Sequence, residues 1–160
     1  MTMMASSEYG TFFLPEVGDE VVVSFDNGDI DYPYILGSMW NEENKPPLDN
    51  SDGKNNIRTI KSRSGHEIVL DDSDNGKIEI NTNSGHKISL DDSKGGEKIE
   101  IIDKSGKNAI SLDSNQNSID ISSEMKLAIK SKMIDIEAGA NMKIKSSGIL
   151  SIEGALVKLN

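Results

Sequence analysis

Two histidines, His66 and His86, are the side chains of this sequence best suited to proton transfer near neutral pH or to metal binding. Each follows a Ser-Gly pair, so the two hold equivalent places in the chain, and in a threefold assembly each would form a triplet. Neither stands in a triad context, and the G-x-S-x-G turn that exposes a nucleophilic serine is missing. The chain has no cysteine, which excludes thiol nucleophiles, disulfides and Cys-type zinc or iron–sulfur sites. Asp71–Asp72 and Asp91–Asp92 are paired hard-oxygen donors of the kind calcium takes. Gly95–Gly96, however, is the only Gly-Gly pair, so the repeating calcium nonapeptide is not present. Adjacent strand residues face opposite ways, so these carboxylates would not flank one glycosidic bond. Gly53-Lys54, Gly76-Lys77 and Gly106-Lys107 lack the upstream glycine of a phosphate-binding loop. All of these read as turn residues, and no catalytic, cofactor or metal site is expected.

The elements that carry them fall into two unlike parts. Every aromatic lies before residue 41 and every proline before residue 48. Residues 1–50 hold ten acids and one base, whereas residues 51–160 hold seventeen acids and sixteen bases. A net charge of −10 disfavours gripping phosphate backbones, and the lysines of 126–145 alternate with apolar residues as a solvated strand face would. No window approaches the roughly 18 apolar residues of a spanning helix, and MTMMASSEYG has no signal-peptide character, so a soluble chain is expected. Glu20–Asp26 reads as a strand, Asn27–Gly28 as a tight type I′ turn, and Tyr32–Met39 as a second strand. The aromatics between residues 9 and 40 then read as a small core and a surface for a partner.

Beyond a linker at 46–56 the pattern alternates with period two, which is a strand signal. SGHEIVLDDS at 64–73 recurs as SGHKISLDDS at 84–93, and more loosely as SGKNAISLDS at 105–114. From about residue 124 the period shortens to eight: MKLAIKSK, MIDIEAGA, NMKIKSSG, ILSIEGAL. Fixed-period self-similarity indicates stacked repeats that bury each other's faces. Eight residues supply one short strand and a turn, too little for one chain to enclose a core. Three chains wound together could do so, with Gly139, Gly148 and Gly154 as corners. The expected architecture is all-β: a partial OB-fold-like segment at 1–45, then an intertwined trimeric β-helix over 57–160. The needle comprises twenty-residue repeats at 57–123 and octads at 124–160. Its core is predicted at Ile68, Leu70, Ile78, Ile80, Ile88, Leu90, Ile99, Ile101, Ile110, Leu112, Ile119 and Ile121, continuing through Leu127, Ile129, Ile134, Ile136, Met142, Ile144, Leu150 and Ile152.

Residues Pro15–Asn41, PEVGDEVVVSFDNGDIDYPYILGSMWN, resemble the OB-fold signature of VgrG proteins and phage baseplate spikes. The matching positions include Pro15, Gly18, Asp19, Glu20, Gly28, Asp29, Asp31, Pro33 and Gly37, and IRTIKSRSGHEIVLDDS resembles the family's passage from OB domain into needle. The resemblance implies a central spike of a contractile injection machine, in a type VI secretion system, a phage tail or a related particle. It would be made in the bacterial cytoplasm and exported with the particle. As a homotrimer it would meet a membrane only by mechanical penetration and would not bind nucleic acid. A PAAR-type tip protein or effector would sit at its C-terminal end, on Leu156, Val157, Leu159 and Asn160. In the full-length parent it would also meet tube and hub proteins. The hub domain and the early OB strands of the family pattern have no counterpart here, which is what an expressed or truncated fragment would show, with MTMMASS a vector-derived start. A trimeric fibre or adhesin stalk is the rival reading, though sugar binding would favour shaft aromatics and none follows Trp40.

Overall fold

The structure, a computed structural model, describes residues 5–158. The chain divides into two units, Met1–Glu124 and Met125–Asn160. Eleven strands are assigned among the described residues, all of them in the first unit. No described residue is helical.

The first strands form two small ribbons. β1 (Ala5–Ser6) pairs antiparallel with β2 (Tyr9–Gly10). β3 (Glu20–Asp26) pairs antiparallel with β4 (Asp29–Met39) around the Asn27–Gly28 turn. Both turn residues have positive φ, 47° and 82°, as a type I′ turn demands. β4 begins three residues earlier than the Tyr32 start expected from sequence, because this two-residue turn keeps Asp29 in register with Asp26. Irregularities at Val22/Val23 and Phe25/Asp26 bend the ribbon, with Pro33 opposite Phe25 and Gly37 opposite Val22. A two-stranded ribbon cannot bury its own side chains. Phe12, Phe13, Tyr32 and Trp40 are accordingly all well exposed.

Residues 57–122 form a seven-stranded antiparallel sheet in simple sequence order: β5 (Ile57–Lys61), β6 (Glu67–Asp71), β7 (Lys77–Asn81), β8 (Lys87–Asp91), β9 (Lys98–Ile102), β10 (Ala109–Asp113) and β11 (Ser118–Ser122). Each has five residues. The intertwined β-helix expected from the repeats, chiefly from the octads, extends over this region as well. Here instead each strand pairs with its own sequence neighbour, so one chain satisfies its own backbone ladder.

Hairpin loops set that register. Gly65 N donates to Ser62 O at 2.9 Å and Ser62 N to His66 O at 2.8 Å, and the same closure recurs at Thr82–His86. These are three-residue loops ending in a positive-φ glycine. The third turn on this edge, Asp103–Asn108, holds one residue more.

The second unit carries no strand among residues 125–158, and its large apolar side chains are exposed. Bends recur at Lys132, Gly139–Ala140, Ser147–Gly148 and Ala155, close to the octad spacing. Gly139 and Gly148 lie in these bends and Gly154 beside one, but none of them adopts positive φ. Their place as corners therefore does not come from the left-handed freedom inferred from sequence.

Gly65 and Gly106 separate backbone strain from crowding. A Cβ at Gly106 (φ 72°) would meet nothing within 4 Å, whereas one at Gly65 (φ 88°) would sit 3.1 Å from Asn83 Oδ1. Gly106→Ala should cost about 1 kcal/mol from the left-handed backbone alone. Gly65→Ala should cost measurably more in urea unfolding of the same chain, since the next turn must also shift.

Candidate functional site, an apolar sheet face with a clasped edge

Constant five-residue strands paired without slippage align the alternation across the whole sheet. Ile60, Ile68, Ile80, Ile88, Ile101, Ile110 and Ile121 stand in one row, and Leu70, Ile78, Leu90, Ile99, Leu112 and Ile119 in a second, both on one face. All twelve core candidates predicted for the sheet lie in these rows. Their exposure runs from 37% for Ile68 to 70% for Ile119, and no hydrophobic residue is buried among those described. Ile60 belongs to the set without being predicted from sequence, because IRTIK does not alternate; only its pairing with Ile68 reveals it. A contiguous aliphatic surface on this scale marks an interaction site. Along the first row, toward the turns that hold His86 and Asp103, runs a shallow concavity of about 430 Å³ lined by Ile88, Ile101 and Ile110.

The opposite face is polar yet better covered. Ser89, at 4% exposure, is the one buried residue described. Glu79 Oε1 lies 2.6 Å from Lys87 Nζ and 3.1 Å from Lys77 Nζ, and Lys98 Nζ lies 2.8 Å from Glu100 Oε1. The long side chains lie along the sheet and shield the small residues between them.

Both histidines and three of the four paired aspartates have side-chain partners within the chain. His66 Nδ1 accepts the Asn83 amide at 3.3 Å, and His86 Nδ1 accepts the Lys104 amide at 3.2 Å. In the third turn Asn108 Oδ1 accepts the Glu124 amide at 3.2 Å. The side chain just before each of β6, β8 and β10 thus clasps its own turn to the next one along the same edge. Sequence similarity aligns Lys107 with the histidines, but Asn108 takes their place because of the extra loop residue. Asp71 and Asp91 accept the amides of Ser73 at 2.9 Å and Ser93 at 2.8 Å, while Asp72 pairs with Arg58. Among the described residues no group of three or more His, Cys, Asp or Glu could hold a metal ion.

The OB-motif positions also make local bonds. Asp19 closes the turn before β3, its amide donating to Glu16 O at 3.0 Å and its carboxylate accepting the Glu16 amide at 2.8 Å. Gly18, at φ 107°, forms that turn, which follows Pro15. Glu20 accepts from Asn41 Nδ2 at 2.8 Å, and Asp29 Oδ1 accepts the Asp31 amide at 3.0 Å inside β4. Glu16 reaches forward to Arg63 at 2.6 Å, tying this segment to the first turn of the sheet. In the second unit, the predicted core residues Leu127, Ile129, Ile134, Ile136, Met142, Ile144, Leu150 and Ile152 are all exposed. Leu156 and Val157 are exposed at 73% and 46%, and Leu159 and Asn160 lie outside the described residues.

Residues 1–40 match the family described as the type VI secretion system/phage-baseplate injector OB domain. Parts of the chain are similar to VgrG and baseplate spike proteins. The chain is 40% identical over 63 residues to the type VI secretion system spike protein VgrG3 of Vibrio cholerae, which is 39% of this chain and 6% of that one. Against spike protein VgrG2a of Pseudomonas aeruginosa the identity is 32% over 74 residues, 43% of this chain and 9% of the relative. A third relative, the actin cross-linking toxin VgrG1 of V. cholerae, is 46% identical over 43 residues, 27% of this chain and 4% of the toxin. The chain thus spans less than a tenth of the length of these relatives.

Two measurements probe the polar face and the clasps. Glu79 is held below the ordinary carboxylate range chiefly by Lys87, against desolvation, with help from Lys77. Asp71 and Asp91 are lowered by their bonds to Ser73 and Ser93. Groups depressed in this way stabilise the fold above their unfolded values and lose that contribution as pH falls through the folded ones. The urea midpoint should therefore drop as pH is lowered below about 4, and less steeply in Glu79→Gln. For the clasps, His86→Ala should speed exchange of the Lys104 amide by about tenfold, the worth of one hydrogen bond. His86→Asn, copying Asn108, should retain most of the protection.

Proposed function

We propose that this chain forms the shaft of a trimeric central spike in a contractile injection machine, with a mechanical rather than an enzymatic role. The observation that carries the reading is the pair of uncovered aliphatic rows, in unbroken register, on a sheet whose backbone is already satisfied. The family relationship supports the setting, and the octads support the copy number. A five-residue strand is about 17 Å long, and a triangle of that side has an inscribed radius of about 5 Å, half the usual sheet-to-sheet spacing. Three such sheets, apolar faces inward, would therefore fill a prism with Ile and Leu and leave no channel. Seven strands would give it a length of about 29 Å.

In the octad unit each copy would supply single short segments, and Leu127, Ile129, Ile134, Ile136, Met142, Ile144, Leu150 and Ile152 would complete the core only with the other two chains. Sheath contraction would drive such a rod through an envelope. A rod of this kind resists because no section can open without exposing the apolar rows of three chains together. A tip protein or effector would be carried at the C-terminal end, on Leu156, Val157, Leu159 and Asn160. The exposed aromatics of the first forty residues would be covered by the remaining OB strands and hub of a longer protein.

Light scattering on the eluting chain tests this. The expected mass is about three times the 17.4 kDa of one chain, with early elution for that mass. Ile88→Asp, which places a charge in the middle of one row, should shift the mass toward the monomer. A compact wild-type monomer would sink the spike.

A further inference from the structure

Bends divide the second unit into short segments, and each segment carries charge of a single sign. Between the bends at Glu124–Met125, Lys132, Gly139–Ala140, Ser147–Gly148 and Ala155 run residues 126–131, 133–138, 141–146, 149–154 and 156–158. The first holds Lys126 and Lys130, the second Asp135 and Glu137, the third Lys143 and Lys145, the fourth Glu153 and the last Lys158, with no opposite charge in any of them. The sign therefore reverses from each segment to the next. In the first four, the charged residues stand one position away from the predicted apolar pairs, so in extended segments they fall on the other face. Among the described residues Lys130, Asp135, Glu137, Lys143 and Lys145 form no ion pair. Glu153 accepts a hydrogen bond from Ser151 Oγ at 3.0 Å.

We propose that this alternation sets the axial register of the octads, the lysine segments of one copy stacking on the acidic segments of another copy of the same chain. The inference rests on the trimeric reading and specifies how chains that form no strands alone find their pairing. Cyclic symmetry puts equivalent segments of three copies at one level, on three sides of the axis. Each bend carries its chain to the next side and the next level, so every side stacks one segment on the following segment of a different copy. Neighbouring strands lie about 4.8 Å apart, where opposed side chains of unlike charge attract and like charges repel. Asp135 and Lys143 stand eight residues apart, as do Glu137 and Lys145, so these are the pairs brought side by side. A copy slipped by one segment meets like charge both above and below. Slipping by two matches the charges again but strands the apolar residues of two segments outside the stack. Burial alone does not choose between adjacent registers, because each octad offers a similar apolar pair; repulsion in the wrong register does.

Hydrogen exchange of the full chain, read by mass spectrometry on peptides from 126–154, tests the register once light scattering has given the mass. Wild-type amides there should be protected in the trimer. Asp135→Lys/Glu137→Lys puts like charge on three successive segments and should speed their exchange by about tenfold at low salt, the worth of a few cross-strand charge pairs, and less at high salt. Peptides from 57–122 should exchange as in the wild type, which separates lost pairing from lost folding. Reversing all eight charges of the five segments keeps the alternation and should restore wild-type protection. Zero-length carbodiimide coupling of trimers refolded from unlabelled and ¹⁵N-labelled chains should join Lys143 or Lys145 of one copy to Asp135 or Glu137 of another. Unprotected octads in a trimer, a double reversal without effect, a full reversal as damaging as the double one, or no such links between copies each overturns the charge register while sparing the three packed sheets. A wild-type monomer or dimer overturns the register and the spike together.

Discussion

Register is the constraint on which the rest of this molecule depends. An antiparallel ladder of equal five-residue strands transmits the side-chain alternation of one strand to all seven, and a single slip would turn an entire strand's aliphatics to the polar face. Short loops enforce the pairing: the Ser62–His66 and Thr82–His86 closures leave no spare residue to slide. Where the third turn gains a residue, the insertion is absorbed inside the loop, and Ile101 still faces Ile110. Asn108 then supplies the acceptor that histidine supplies in the other two turns. The clasp is thus preserved through a change of residue type.

The two faces divide the energetics. On the polar face the ion pairs are intramolecular and local, linking residues on the same or the adjacent strand, and partly exposed pairs of this kind contribute little individually. Their larger effect is coverage, which is why Ser89 is buried while Ile88 beside it stays 37% exposed. The apolar face has no such cover within the unit. Burying it is worth about 25 cal/mol per Å², a gain available only when another surface comes against it. The ladder's hydrogen bonds are thus made within one chain, whereas cover for its aliphatics has to come from another surface.

Much of this is legible in the sequence, and the failures are specific. Glu20–Asp26, the Asn-Gly turn and the in-register Ile/Leu pairs follow from alternation and turn chemistry that local physics enforces. Ile60 escapes because its strand reads Ile-Arg-Thr-Ile-Lys, where apolar spacing conflicts with period two and only the partner strand decides the face. Asn108 escapes because aligning Ser-Gly-Lys with Ser-Gly-His is natural by residue type, while the loop closes one residue later. Alternation alone reports that a strand has two unlike faces; it does not say whether the neighbouring strand comes from the same chain. The pairing of β5 to β11 within one chain lies beyond the repeat for that reason. The octads show the converse: their bends recur as the sequence spacing foretells, yet no strand is assigned among residues 125–158, because eight residues offer no partner within reach.

The change of period therefore marks a change in what a single chain can satisfy. Over 57–122 a chain pairs every strand with its sequence neighbour, leaving open only the outer edges of β5 and β11, and lacks cover for its side chains. Over 125–158 it completes neither, and strands could form there only by pairing between chains. In the proposed assembly the first section is three sheets meeting at their edges, and the second is three chains sharing each layer. Side-by-side packing lets the copies recognise each other as preformed surfaces. Interwinding removes the free sheet edges and makes separation of the chains require unwinding, which suits the end of a rod that meets the load first. In that assembly, placing the self-sufficient section before the dependent one would give the octads three chains already held in parallel, so the entropy of bringing their strands together would be met before they pair.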